Sequence, residues 1–488
     1  MAALAGAGAR VGMNYLKHYG RQAISGRADP DTLQEQNASE VFRTFSELKG
    51  GPLKLAQMLS IDQSLLPPAY AKQFARAQYS APPLSYPLVV RTFRREFGKD
   101  PRDIFETFEP QAAHAASIGQ VHRATLGGRA FAVKIQYPGV AESLRSDLGV
   151  VKPIALQILG LRERDVGAYF KEVEARLLEE TDYEKELRSA TELSTACAHL
   201  PNIRFPKYHP EFSSRRVITM DWMDGEPFDV FADGPASQEL RNSVGQTLWD
   251  FYAHQIHNLR RFHADPHPGN FLIEGDNLCV LDFGCTKTIN PDFHSKQFAF
   301  LDPTLETNPA RLAAAMESMD ILLPSDTPAQ RNHLIELCKK SLELLALPFR
   351  TGHFDFGDPA FMKAIYDLGE ENRKNNTLRG MRGQRGSADT IYLNRTFFGL
   401  YSLLTRLRSH IKTPLPEGVD FSVVKGVFRK TCMDAPKFKN FVQSNCSDLS
   451  IVRPLREILR PQFNRNIPLF DFPIFIDFEP IFADFIEK

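Results

Sequence analysis

One stretch of 22 residues, His263 to Gly284, constrains this chain more than any other: HADPHPGNFLIEGDNLCVLDFG. It sets Asp265 five residues before Asn270, and Asn270 twelve residues before Asp282 of an Asp-Phe-Gly triplet. A carboxylate, a carboxamide and a second carboxylate at that spacing make a phosphoryl-transfer site. The first carboxylate orients or deprotonates a hydroxyl or a water, and Asn270 and Asp282 hold Mg²⁺ against the phosphates of ATP. His263 and His267 flank Asp265 on a proline-containing loop. Hydrogen bonding accounts for them better than a metal pair does.

The segments around this stretch indicate the frame. Residues 31–60 carry apolar positions at helical spacing, broken by Gly50-Gly51-Pro52, which predicts two helices ended by Pro67-Pro68. A proline linker at Ala81-Pro82-Pro83 leads into a basic helix over 87–98. From 105 the pattern turns to short strands, with Gly127-Gly128 as a hairpin turn and RAFAVKIQ as an apolar strand. Helical periodicity returns over 141–162 and 166–199. RRVITMDWMDGEP predicts a buried strand ending in a turn at Asp224-Gly225, and 237–262 a long helix. FLIEG and NLCVLDF pair as a hairpin. After about 290 the chain is mostly helical, with amphipathic RLAAAMESM, HLIELCKKSLELLAL and TFFGLYSLLTRLRS. A loop rich in Gly, Arg and Asn lies between 371 and 389, and the tail at 468–485 repeats Phe with Asp and Pro.

The nucleotide site extends upstream. Lys134 ends the strand Phe131-Ala132-Val133-Lys134, and a lysine there is expensive unless it is paired or faces a cleft. In protein kinases a lysine on the third strand grips the α- and β-phosphates. Counting back through G-x-G-x-x-G-x-V places His114, Ala116, Gly119 and Val121, so only the third glycine is kept. The phosphate-covering loop is present in position but poor in glycine, and fewer amides close on the phosphates. The partner of Lys134 is Glu180 or Glu186 in LLEETDYEKE. The strand Arg216–Met220, continuing through Asp221-Trp222-Met223-Asp224-Gly225, fits a hinge beneath adenine, where main-chain groups between Met220 and Met223 pair to the adenine edge; core packing is the plainer reading of Met220 and Trp222.

Composition excludes several classes. Lys+Arg and Asp+Glu are both 59 in 488 residues, so the formal net charge is zero, which argues against a general nucleic-acid binder. The six cysteines contain no Cys-x-x-Cys pair, which argues against a metal cluster or disulfide framework and for a reducing compartment. No run of eighteen apolar residues predicts a transmembrane helix. The basic, small-residue-rich N-terminus reads as a surface segment or a weak interfacial anchor.

Together the residues carry a resemblance. LKLAQMLSI (53–61), AASIGQVHRA (115–124), AVKIQYPGV (132–140), EETDYEKE (179–186), DPHPGNF and LDFG resemble the UbiB family of atypical kinases, which support ubiquinone and other isoprenoid-lipid metabolism. The likeness spans roughly residues 40–290 and extends through Leu393-Asn394-Arg395-Thr396. It implies an α+β, protein-kinase-like bilobal fold with a β-rich small lobe and a helical large lobe. Residues 1–100 would form a helical extension over the cleft, 101–225 the small lobe and hinge, and 226–488 the large lobe. The resemblance implies that Lys134 and the loop at Ala116, Ser117, Gly119 and Val121 contact ATP, that Asn270 and Asp282 bind Mg²⁺, and that Asp265 takes the catalytic-base position. Glu180 or Glu186 would pair with Lys134 or support the metal. Lys54 and Gln57 would gate the cleft and block protein substrates. Two departures stand out: Ala56 replaces the glycine of Lys-x-Gly-Gln, and His114 replaces the first alanine of the loop.

The implied activity is ATP hydrolysis or small-molecule phosphorylation, not protein phosphorylation. The implied partners are nucleotide, an isoprenoid or quinone-precursor lipid and quinone-biosynthesis proteins. The implied location is cytoplasmic with peripheral membrane contact, or the mitochondrial matrix in a eukaryote. A phosphotransferase of the aminoglycoside or choline kinase type is a second reading. A nucleotide-switched, non-catalytic lipid-binding scaffold is a third.

Overall fold

Phenylalanines set the first layer. Helix α1 (Tyr86–Phe97) begins with a proline in its first turn and stops at Gly98, whose φ of 70° lets its N–H return to the Arg94 carbonyl. The chain then forms β1 (Thr107–Phe108), β2 (His114–Ala115), β3 (Gly119–Leu126) and β4 (Arg129–Gln136). Gly127 and Gly128 take φ of 60° and 72° between β3 and β4, the left-handed pair that a two-residue hairpin requires. Phe93 of α1 packs with Phe105, Phe108, Phe131, Val133, Ile135 and Val217 in one buried cluster. Each such side chain stabilises the layer by about 1.5–3 kcal/mol.

The computed structural model describes residues 84–115, 118–140, 181–350, 352–374 and 385–416, with scattered positions in 35–43 and 142–179. The helices expected over 31–60, most of the Gly/Arg/Asn-rich loop and the Phe-rich tail lie outside the described residues.

Helix α2 (Tyr183–Cys197) follows, its N-cap Asp182 accepting from the Lys185 N–H. Strand β5 (Ile203–Arg204) precedes β6 (Val217–Asp221), four of whose five residues are buried, as expected for 216–220. The first sheet runs β1-β3-β4-β6, with β2 on β3, all antiparallel. Leu84 enters it through a closed chain of bonds. Its N–H donates to Gln120 Oε1, the Gln120 amide meets His122 Nε2, and His122 Nδ1 meets the Glu109 carbonyl. Burial keeps the His122 imidazole below its ordinary pKa.

Beyond β7 (Glu226–Pro227), Ser237 caps α3 (Gln238–Ala253). The single helix expected over 237–262 needs correction. α3 ends at Ala253, a π-helical turn covers His254–Leu259, and Arg260 (φ 50°) turns the chain into β8 (Arg261–His263). The apolar pattern continues through this break, but the backbone of Arg261–His263 pairs with a strand that lies after the Asp-Phe-Gly triplet. β9 (Phe271–Glu274) and β10 (Asn277–Val280) form the expected hairpin, and β10 also takes β5 in parallel. β11 (Thr286–Thr288) is the partner of β8.

Helices α4 (Pro291–Ala299), α5 (Pro309–Ser318), α6 (Pro328–Leu345), α7 (Pro359–Lys374) and α8 (Ala388–Leu407) match the helical reading after 290. α7 runs into the segment assigned from sequence to the basic loop. A short pair, β12 (Gly352–Asp355) with β13 (His410–Thr413), adds strand to a region expected to be mostly helical. Among the described residues no helix is long and apolar enough to cross a membrane.

Candidate active site

Lys134 lies in β4 between Val121 of β3 and Ile218 of β6 and is only 8 % exposed. An ammonium in that position needs anions, and two are supplied from distant segments. Nζ donates to Glu186 Oε1 at 2.6 Å and to Asp282 Oδ2 at 3.2 Å. Glu186 sits in the first turn of α2, set there by the Asp182 cap. Asp282 follows β10, and its Oδ1 accepts the Gly284 N–H at 2.7 Å. The Asp282 side chain remains 34 % exposed, so this carboxylate faces the cleft while Glu186 is closed off.

One ammonium between two carboxylates leaves a negative charge in excess. Burial, reinforced by the charge of Asp282, pushes Glu186 up to about 8 against the pull of Lys134. Burial also opposes ionisation of Asp282, but Lys134, a hydrogen bond from Glu186 and the Gly284 amide outweigh it and hold Asp282 below the carboxylate range. Lys134 stays charged, because Asp282 and Glu186 outweigh the cost of burying it. Burial thus favours the neutral form of Glu186, while the charges and bonds around the more exposed Asp282 favour its anion.

Two tyrosines frame this cluster. The Tyr183 ring lies 5.2 Å from Lys134 Nζ. The Tyr208 hydroxyl is buried with no hydrogen-bond partner, and burial followed by the charges of Asp282 and Glu186 suppresses its ionisation. Gly119 has a packing reason of its own. A Cβ there would collide with the Ile135 carbonyl oxygen and come within 2.8 Å of Tyr183 Oη.

The loop bearing Asp265 and Asn270 hangs from β8. The Ala264 N–H bonds to the Cys285 carbonyl, and the Asp265 carbonyl accepts both the His267 N–H (2.7 Å) and Asn270 Nδ2 (2.9 Å). The Leu281 N–H donates to the Asn270 carbonyl at 2.9 Å, which fixes Asn270 beside the segment bearing Asp282. His263 is buried against Tyr252, whose hydroxyl lies 3.2 Å from Nδ1, and His267 Nδ1 accepts the Gly269 N–H. Both histidines thus have the hydrogen-bonding places expected of them. The Asp265 carboxylate takes an unforeseen partner: Arg395 Nη2 of α8 donates to Oδ1 at 2.8 Å.

At the hinge, Met220 is buried in β6 and bridges to Tyr208, while Met223 is half-buried beyond it. The Trp222 N–H bonds to the Ala130 carbonyl, and the His114 imidazole stacks at 6.1 Å from the Trp222 ring. Val121 is half-buried in β3. Ala116, Ser117, Glu180, Lys54 and Gln57 lie outside the described residues. Of the two glutamates left open by the sequence, Glu186 is the one seen to meet Lys134. Sequence reasoning missed Arg395, Tyr183 and Tyr208. Tyr183 stands inside the EETDYEKE segment, but no spacing rule ties Arg395 to a loop 130 residues away.

Residues 76–316 match the model of the ABC1 atypical kinase-like domain. The chain carries an ABC1 atypical kinase-like domain. The mitochondrial atypical kinase COQ8B of Rattus norvegicus is 29% identical over 388 residues, covering 78% of this chain and 71% of the rat protein. The mitochondrial atypical kinase coq-8 of Caenorhabditis elegans is 34% identical over 270 residues, covering 54% of this chain and 36% of the worm protein. A solved structure of Rv3197 from Mycobacterium tuberculosis, a complex with erythromycin, is similar with a TM-score of 0.54 and 25% identity, covering 78% of this chain and 95% of that one. The family and the kinase-like α+β bilobal fold read from the sequence are thereby borne out. ABC1-type chains carry the name of kinases, and the buried Lys134 cluster lies within the matched residues.

Proposed function

We propose that this ABC1-type chain binds MgATP in the cleft lined by Lys134, Asp282 and the Asp265–Asn270 loop. It uses the nucleotide for ATP hydrolysis or for phosphorylating a small molecule in support of isoprenoid quinone biosynthesis. The observation that carries the reading is the Lys134–Glu186–Asp282 cluster, assembled from segments 52 and 148 residues from Lys134. An ion-paired, desolvated lysine with a carboxylate kept ionised at the open side matches the needs of triphosphate binding.

The donor set fits the metal. Asp282 and Asn270 offer a carboxylate and a carboxamide, and no trio of His, Cys, Asp or Glu able to hold a metal exists among the described residues. Mg²⁺ takes oxygen ligands and completes its shell with waters and phosphates, so two protein groups suffice. The ion, when bound, supplies charge neutralisation to the phosphates. Lys134 orients the phosphates, held by Glu186. Asn270 directs its amide to the Asp265 carbonyl and so turns its oxygen toward the metal position. Asp265 orients the water or hydroxyl that attacks. Met220 and Met223 line the adenine side of the hinge.

The relatives named as mitochondrial motivate a matrix location in a eukaryote, with peripheral contact to a membrane carrying an isoprenoid or quinone-precursor lipid. The test is ATP turnover by the purified full chain, with titration of MgATP. Asp282→Asn is expected to abolish MgATP binding and turnover. Turnover equal to wild type in that variant would sink the reading. Sedimentation with vesicles containing an isoprenoid quinone precursor tests the lipid partner, and equal binding to vesicles lacking it would remove that partner.

A further inference from the structure

The Asp265 loop is not held by its own neighbourhood alone. Arg395 reaches it from α8, 130 residues downstream and beyond the matched domain at 76–316. The ion pair is mostly enclosed, at 13 % exposure for Arg395 and 23 % for Asp265. Two further contacts press α8 onto the same region. A Cβ on Gly399 would collide with Pro266 Cγ and come within 3.2 Å of the Pro266 carbonyl oxygen, so the helix backbone lies directly on the residue after Asp265. Lys287 of β11 bonds to Asp389 at 3.0 Å and lies 5.0 Å from the Tyr392 ring, which ties the segment after the Asp-Phe-Gly triplet to the same helix. Three successive turns of α8 therefore engage the catalytic loop and its following strand.

We infer that Arg395 is the positioning residue for Asp265, and that α8 is part of the catalytic machinery. The inference rests on the proposed ATP-dependent activity and names a further residue for it. The guanidinium commits Asp265 Oδ1 and fixes the rotamer of the carboxylate, which then orients the attacking water or hydroxyl. The Asp265 main chain alone does not do this. Its carbonyl is held by His267 and Asn270, but those bonds leave the side-chain torsions unset. A charge-assisted hydrogen bond from a planar donor sets them. Displacing a reacting group by about 1 Å costs up to ~100-fold in rate, so loss of the pair should appear in the chemical step.

The experiment uses the full chain. ATP turnover and MgATP affinity are measured for wild type, Arg395→Ala, Arg395→Lys and Gly399→Ala, with and without added methylguanidinium. Arg395→Ala is expected to lower kcat by about 10- to 100-fold with KM for ATP within about threefold, and methylguanidinium to recover at least part of the loss. Arg395→Lys should fall between wild type and alanine. Gly399→Ala leaves every charge in place but lifts α8 from Pro266, and should lower kcat in the same direction. If Arg395→Ala does not fold, Gly399→Ala carries the test, and an unchanged kcat there overturns the inference. Wild-type kcat in Arg395→Ala, or a loss that methylguanidinium does not touch, also overturns it while leaving the MgATP reading intact. Absence of turnover in wild type would remove both together.

Discussion

The two sides of the cleft are built differently. On the phosphate side, Lys134, Glu186 and Asp282 form a closed cluster in which two of the three side chains are almost fully buried. On the proposed acceptor side, Asp265 sits on a loop and pairs with the largely enclosed Arg395 of a late helix. Burial makes the first side a structural element as well as a chemical one. Removing a partner there leaves charge without solvent. The second side is one ion pair between a loop and α8, in which a neutral acceptor in place of Asp265 can still take the Arg395 bond. Stability should therefore depend on the first, and turnover on both.

Lys134→Met tests this contrast most strongly. Removing one partner of a buried ion pair costs about 3–5 kcal/mol, and the low end is expected because Glu186 can retain a proton beside Asp282. Turnover should vanish with it. Asp265→Asn should also abolish turnover but cost less stability than Lys134→Met, because the carboxamide oxygen can still accept from Arg395. Urea denaturation of both variants decides the matter: equal losses of stability would erase the distinction.

Gly119→Ala gives the next effect. If the glycine serves only to close a loop on phosphates, the variant unfolds like wild type and binds MgATP more weakly. The collision with the Ile135 carbonyl and Tyr183 instead predicts overpacking, with a loss of about 1–3 kcal/mol in the nucleotide-free protein. A stability unchanged within error would return Gly119 to a purely nucleotide-directed role.

The contrast also explains what the sequence reveals. Lys134, the Glu186 segment, Asp265, Asn270 and Asp282 appear in the order and at the separations that a phosphoryl-transfer site would need around one nucleotide. Spacing left Glu180 and Glu186 both open, and it is the Asp182 cap and the first turn of α2 that bring Glu186 to Lys134. Arg395 was hidden for a different reason. It acts through tertiary docking of α8, and helical periodicity gives a face but not its partner. The π-helical turn at His254–Leu259 was equally silent, because its apolar residues continue the pattern of α3 and only the pairing of β8 with β11 ends the helix. β12 and β13 are four residues each and meet across 54 intervening positions, too short and too far apart for alternation to reveal.

The smallest effect concerns pH, and it should have opposite signs on the two sides. Glu186 is raised in the folded chain to about 8, so the stability it contributes is full below its unfolded value and is lost as pH rises through about 8. The π-helical turn that leads into β8 and Asp265 behaves the other way. His257 Nδ1 lies 3.1 Å from His294 Nε2, and the His257 ring packs on Phe298 at 4.4 Å. Burial, then the neighbouring His294, pulls His257 down to about 3. Burial, with Arg260 nearby, lowers His294 as well. A histidine kept neutral when folded binds fewer protons than it does unfolded, so its contribution is present above about 6.5 and is lost as pH falls. As pH falls through about 6.5 the His257 contribution should be lost, and because Glu186 works in the opposite sense over the same range, the measure is the difference in acid slope between wild type and a His257 variant. His257→Gln keeps a hydrogen-bonding side chain and cannot titrate, so it should flatten this acid slope without altering the alkaline one. An identical acid slope in wild type and His257→Gln would show that the acceptor side owes nothing to this pair. A flattened slope would place the acid-sensitive root of the catalytic loop at the turn before β8.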